Sequence, residues 1–73
     1  MEKGIGQKVK ELREARGLSQ RALADELYIS LAMICGIETG IKQPSLRVAL
    51  ALAEYFGTTV EELTGSESKR QEG

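Results

Sequence analysis

Cys35 is the strongest nucleophile in this chain, and nothing basic flanks it in the sequence to activate it. It is also the only cysteine, so no disulfide can form within the chain. One thiol without a disulfide framework fits a reducing cytosol, and a cytoplasmic location is expected. Histidine is absent, which removes the commonest general base and metal ligand. No nucleophile stands with a base at catalytic spacing. Gly4 and Gly6 precede a helical pattern with no strand before them, so they lack the context of a nucleotide-binding loop. A metal ion would need carboxylates alone or the lone cysteine, and no such cluster occurs. These residue types predict no catalytic residue, no metal and no cofactor. They point away from an enzyme and toward a protein that holds a partner.

Helices must do the positioning. With 73 residues the chain can build one small domain. Ile5, Val9 and Leu12 follow i, i+4, i+7 and mark a first helix, stopped at Gly17. Ser19 reads as the N-cap of a second helix over about Gln20–Leu27, burying Leu23, Ala24 and Leu27. Tyr28, Ile29 and Ser30 break it, and Ser30 caps a third helix over about Leu31–Glu38 with Ile34 and Ile37 inward. Gly40 ends that helix. Pro44 blocks passage of a helix, and Ser45 caps a fourth over about Leu46–Phe56. This fourth helix is apolar nearly all round, as expected of a central helix or one with a second buried face. Thr59 and Glu62 have the spacing of a capping box for a short fifth helix ending near Leu63. Residues 1–64 thus read as one all-α domain. Residues 65–73 (GSESKRQEG) read as a flexible polar tail, too short for an effector domain.

The net charge of −1 does not announce a nucleic-acid binder. Its distribution is more informative. Residues 1–53 carry eight Lys/Arg against six Asp/Glu, and residues 54–73 carry two against five. No apolar run is long enough to span a bilayer, and no signal-peptide core is present, so no membrane partner is expected. The most informative unit is residues 19–40. Two short helices joined by about three residues cannot fold back as an antiparallel hairpin and must cross steeply. That is the helix-turn-helix geometry, which presents its second helix to the DNA major groove.

At this point the chain resembles the Cro/repressor-type helix-turn-helix family, the xenobiotic-response-element regulators. The resemblance runs from Ile5 to Leu63. It is carried by IGQKVKELREARGLSQRALA, by Ser30, Ile34, Ile37, Glu38 and Gly40 in S-x-x-x-I-x-x-I-E-x-G, by QPSL at 43–46, and by A-x-x-F-G-x-x-x-x-E-L ending at Leu63. The resemblance implies a compact five-helix, lambda-repressor-like DNA-binding domain acting as a repressor-like regulator of transcription. It implies double-stranded DNA as partner and a homodimer on a two-fold symmetric site. Gln20, at the start of the second helix, would bond a phosphate beside free backbone N–H groups, where a helix N-terminus attracts anions. Ser45 and the fourth helix would do the same across the groove. Arg21, Lys42, Gln43 and Arg47 fall in the same zone as phosphate contacts or as solvated surface. Arg13 and Glu38 match an internal salt bridge of the family.

The third helix departs from the pattern. At 100° per residue, with Ile34 and Ile37 inward, the outer side holds Ala32, Cys35, Gly36 and Thr39, flanked by Leu31 and Met33. Family members usually place Gln, Arg, Ser, Asn or Lys there, which match base edges. Here Leu31 and Ala32 could touch thymine methyl groups, and Thr39 offers the only hydroxyl. Three readings stand. DNA is bound through phosphates, methyl contacts, Lys42, Gln43 and DNA shape. Alternatively, the small-residue face packs a partner helix from another protein. Or the chain is an engineered or degenerate variant that has lost binding, a reading to which the mid-helix Gly36 lends support. Tyr28 occupies a turn position where the family often has glycine, and a positive φ there would cost a tyrosine on the order of 1 kcal/mol. Cys35 stands where the family often has serine, and reads as a redox-sensitive thiol or a serine-sized replacement. Val48, Leu52 and Tyr55 form a second stripe beside a core stripe of Leu46, Ala49, Leu50 and Ala53 and, with Val60 or Leu63, would build a dimer interface, unless both stripes are buried within one subunit.

Overall fold

Serines at three helix starts set the register of the fold. In the computed structural model, which describes residues 4–64, α1 spans Ile5–Ala15, α2 Gln20–Leu27, α3 Leu31–Thr39, α4 Leu46–Phe56 and α5 Val60–Thr64. The expected caps are in place. The Ala22 N–H donates to Ser19 Oγ at 2.9 Å, the Met33 N–H to Ser30 Oγ at 3.0 Å and the Val48 N–H to Ser45 Oγ at 3.2 Å. Each bond satisfies a donor that the first helical turn leaves without a partner. At α5 the Glu62 N–H donates to Thr59 Oγ1 at 3.1 Å. The other half of the expected capping box differs: the Glu62 carboxylate takes the Thr58 hydroxyl. The expected tail at 65–73 lies outside the described residues.

The helix ends explain the turns. Gly17, Gly40 and Gly57 close α1, α3 and α4 with φ of 70°, 84° and 70°. Tyr28 closes α2 with φ 57° and ψ 41°, the only positive φ outside glycine among the described residues. The Ile29 N–H reaches the Ala24 carbonyl at 3.0 Å and the Tyr28 N–H the Asp25 carbonyl at 3.3 Å. This is a Schellman closure normally made with glycine. The short turn between α2 and α3 therefore has the left-handed residue that the sequence comparison with glycine implied.

All five helices close on one core of Val9, Leu23, Ala24, Ile34, Leu52, Ala53, Phe56 and Leu63. α3 packs against both α1 and α2, and α5 against α1 and α4. Gly6 makes the α1–α3 contact possible: a Cβ there would lie 2.0 Å from the Ile37 carbonyl oxygen. On α4 the packing corrects the expected stripes. Leu52 is fully buried, and Val48 and Tyr55 lean on the core, so this stripe is internal to the subunit. Leu63 is buried as well. Ala49, Leu52, Ala53 and Phe56 make the true inner face, and Leu46 and Leu50 point outward at 69% and 51% exposure. The helix has too many apolar residues for its pattern alone to choose between these faces.

Candidate nucleic-acid interface

One polar network fixes α3 relative to α1 and α2. Arg13 donates through Nε to Glu38 Oε2 at 2.7 Å and through Nη2 to Oε1 at 3.0 Å. Its Nη1 donates to the Leu18 carbonyl at 2.7 Å. The side chains are only 10% and 3% exposed, so a forked, charge-assisted pair is buried at the base of the helix-turn-helix. The Glu38 hydrogen bonds hold the Arg13 pKa above its usual value, against the opposing pull of burial. The internal salt bridge implied by the family resemblance is thus present.

Gln20 joins this network. Its Nε2 donates to Glu38 Oε1 at 3.0 Å, and its Oε1 accepts from the Cys35 thiol at 3.1 Å. The amide carries two protons, so one remains for an outside acceptor. The side chain is half-buried and held from both sides. Cys35 is half-buried with its thiol spent on Gln20, a position that a serine hydroxyl would also fill.

The outer face of α3 is sparser than the sequence suggested. Leu31, Ala32 and Thr39 are exposed, and Met33 and Cys35 are half-buried. The Thr39 hydroxyl donates back to the Cys35 carbonyl at 2.9 Å, so only its lone pairs face outward. Gly36, expected on the open side, is buried. The reason is the loop after α3: the Lys42 side chain lies over position 36, where a Cβ would come within 2.7 Å of its Cγ and Cδ. Helical periodicity counts only the helix itself and does not register a side chain folding back from a later loop.

Around this face stand the other sequence-derived candidates. Arg21, Lys42, Gln43 and Arg47 are exposed, and none of their side chains makes a hydrogen bond or ion pair among the described residues. Ser45 is exposed, and its oxygen caps α4 while its proton has no acceptor among the described residues. The structure gathers Gln20 onto α3 through Glu38 and Cys35, and Lys42 onto α3 at Gly36. It leaves Arg21, Gln43 and Arg47 as separate exposed side chains. Among the described residues no carboxylate or cysteine cluster could hold a metal, and no helix is long and apolar enough to cross a membrane. Sequence reasoning missed Arg16. Its Nη1 and Nη2 donate to the Tyr55 and Phe56 carbonyls at 3.1 and 3.3 Å, and its guanidinium lies 5.1 Å from the Phe56 ring centroid. It closes the negative end of α4, a contact between residues 39 and 40 positions apart that local spacing does not signal. Sequence reasoning also missed the groove of about 600 Å³ between α4 and α5, lined by Leu46, Leu50 and Val60 among others.

The comparisons with known proteins agree with this geometry. The Helix-turn-helix family model matches residues 9–63. The propionyl-CoA carboxylase regulator of Cereibacter sphaeroides is 42% identical over 65 residues, which cover 89% of this chain and 14% of that protein. The HTH-type transcriptional regulator AnsR of Bacillus subtilis is 39% identical over 61 residues, 84% of this chain and 53% of that protein. The chain therefore spans about half of one of these relatives and a small part of the other. Among solved structures, the restriction-modification controller protein C.AhdI from Aeromonas hydrophila superposes with a TM-score of 0.74 at 37% identity, covering 81% of this chain and 89% of that one. With its model match across most of its length and a structural relative covered nearly end to end, the chain belongs to the helix-turn-helix family.

Proposed function

We propose that this chain is a repressor-like regulator of transcription that lays α3 in the major groove of double-stranded DNA. The observation that carries the reading is the α2–α3 pair, locked by Arg13, Glu38 and Gln20, with the cations Arg21, Lys42 and Arg47 around it unpaired among the described residues. Phosphates supply most of the affinity, through those cations, the free Gln20 proton, Ser45 and the N-termini of α2 and α4. Leu31 and Ala32 offer apolar contact to thymine methyl groups. The protein acts by occupying its site in the cytoplasm, with no catalytic step. Two copies bind a two-fold symmetric site, and the exposed Leu46 and Leu50 beside Val60 give the second copy an apolar surface in place of the internal Val48–Tyr55 stripe. Docking of a protein onto a smooth small-residue face of α3 loses support, because Lys42 covers Gly36.

Selection from a randomised duplex pool at low and near-physiological salt tests this. A two-fold symmetric motif is the expected result, and its half-site spacing reports the arrangement of the two copies. Retention only at low salt with no motif would leave phosphate binding without regulation of specific sites. No retention at either salt would end the DNA reading.

A further inference from the structure

On the DNA-binding reading above, the side chains of α3 bring almost no hydrogen-bond donor to the bases. Leu31 and Ala32 are apolar, the Thr39 hydroxyl donates to the Cys35 carbonyl, and the Cys35 thiol donates to Gln20. Besides the Gln20 amide, held at Glu38 and Cys35, a cationic donor reaches α3 from the loop that follows it. The Lys42 N–H donates to the Gly36 carbonyl at 3.0 Å, which pins the loop to the helix. The Lys42 alkyl chain then crosses position 36. A Cβ at 36 would meet Lys42 Cγ and Cδ at 2.7 Å and Lys42 Cβ at 3.1 Å. These atoms belong to the root and middle of the side chain, where the pinned backbone leaves little room to give. The ammonium beyond them has no partner among the described residues. A mid-helix glycine weakens a helix, and here the volume it vacates is filled by a cationic side chain laid along the recognition helix.

We propose that Lys42 is the specificity-determining donor of this interface, and that Gly36 is the positioning residue that seats it against α3. The group it reads is guanine, whose N7 and O6 accept from a lysine in the major groove. This proposal rests on the DNA-binding reading and names the base contact that reading lacks.

The test uses the full chain and the duplex recovered by pool selection. Binding is measured to that duplex and to variants with each base pair changed in turn, for wild type, Lys42→Met and Gly36→Ala. Lys42→Met should keep the fold and lose about tenfold discrimination at one G·C position in each half-site. Gly36→Ala should lose the same discrimination at the same position, and should add nothing in the Lys42→Met background. A uniform loss across all duplexes in Lys42→Met, with the salt slope reduced by about one, would make Lys42 a phosphate contact and overturn the proposal while sparing the DNA reading. Retained guanine discrimination in Gly36→Ala would overturn the seating. Absence of DNA binding by the wild type would overturn the regulator reading and this proposal with it. Thermal melting gives a check that needs no DNA. Gly36→Ala should raise the melting temperature in a Lys42→Gly background, where no side chain of residue 42 overlies position 36 and alanine is the better helix former. A fall there would show that something other than Lys42 closes position 36.

Discussion

Replacing Tyr28 by glycine should stabilise this domain, although tyrosine is by far the larger side chain. Tyr28 sits at φ 57° and ψ 41° and is 95% exposed, so its ring contributes little packing to lose. A non-glycine residue in the left-handed region carries roughly 1–2 kcal/mol of steric cost. Glycine removes that cost but loosens the unfolded chain, which takes back about 0.4–1 kcal/mol. The net expectation is a gain of about 0.5–1 kcal/mol. The two closing bonds, from the Tyr28 and Ile29 N–H groups, are backbone bonds and survive the change. For a domain of this size the gain corresponds to a rise in melting temperature of roughly 2–8 °C. Thermal and urea unfolding followed by far-ultraviolet circular dichroism would measure it. An unchanged urea m-value is expected, because the amount of surface exposed on unfolding stays the same. A melting temperature equal to or below wild type would refute the reasoning, since it would mean that the left-handed conformation carries no strain or that the exposed ring stabilises the fold.

Gly6→Ala should destabilise by about 1–3 kcal/mol or more, because its Cβ falls 2.0 Å from the Ile37 carbonyl oxygen and α1 must move off α3; a melting curve like that of wild type would contradict the contact. Arg13→Ala strands the Glu38 carboxylate, whose side chain is only 3% exposed, and should cost about 3–5 kcal/mol in urea unfolding. Gln20→Ala should weaken binding about equally to every duplex in a competition assay, since a phosphate contact carries no base information, and a change confined to one base position would show otherwise. Leu46→Asp with Leu50→Asp should abolish self-association in analytical ultracentrifugation while leaving the melting temperature nearly unchanged, because both side chains are exposed at 69% and 51%; persistence of a dimer would place the interface elsewhere.

Much of this architecture is local and was legible from the residues. A serine hydroxyl bonds a donor three residues on, so Ser19, Ser30 and Ser45 mark helix starts without any knowledge of the rest of the fold. The same holds for the glycines that end α1, α3 and α4. What escaped the sequence depends on contacts between distant or differently directed segments. On α4, Leu46 and Leu50 were placed in the core stripe wrongly, because seven of the first eight residues are apolar and offer no polar face to fix the rotation. Arg16 met its partners only once α1 and α4 were placed together. Gly6 was weighed only against a nucleotide-binding loop, and its close approach to Ile37 is visible only in three dimensions. Gly36 read as a bare spot on the outer face because periodicity places residues on one helix and ignores the loop that returns over it.

These differences bear on how so sparse a recognition helix can serve a binding domain. The polar residues around α3 are divided between those held inside and those left outside. Glu38 accepts from both Arg13 and Gln20, and Gln20 accepts from Cys35, so α1, α2 and α3 share one chain of hydrogen bonds. That chain fixes the Gln20 amide before any partner arrives, and a donor already held in place gives up little freedom on binding. The side chains of Arg21 and Arg47 have no such ties among the described residues, and charge attracts phosphate without precise placement. Lys42 lies between the two groups: its stem lies over Gly36, while its ammonium has no partner among the described residues. A helix that lacks donors of its own can thus take one from the loop that follows it, provided that one position on its surface stays free of a side chain.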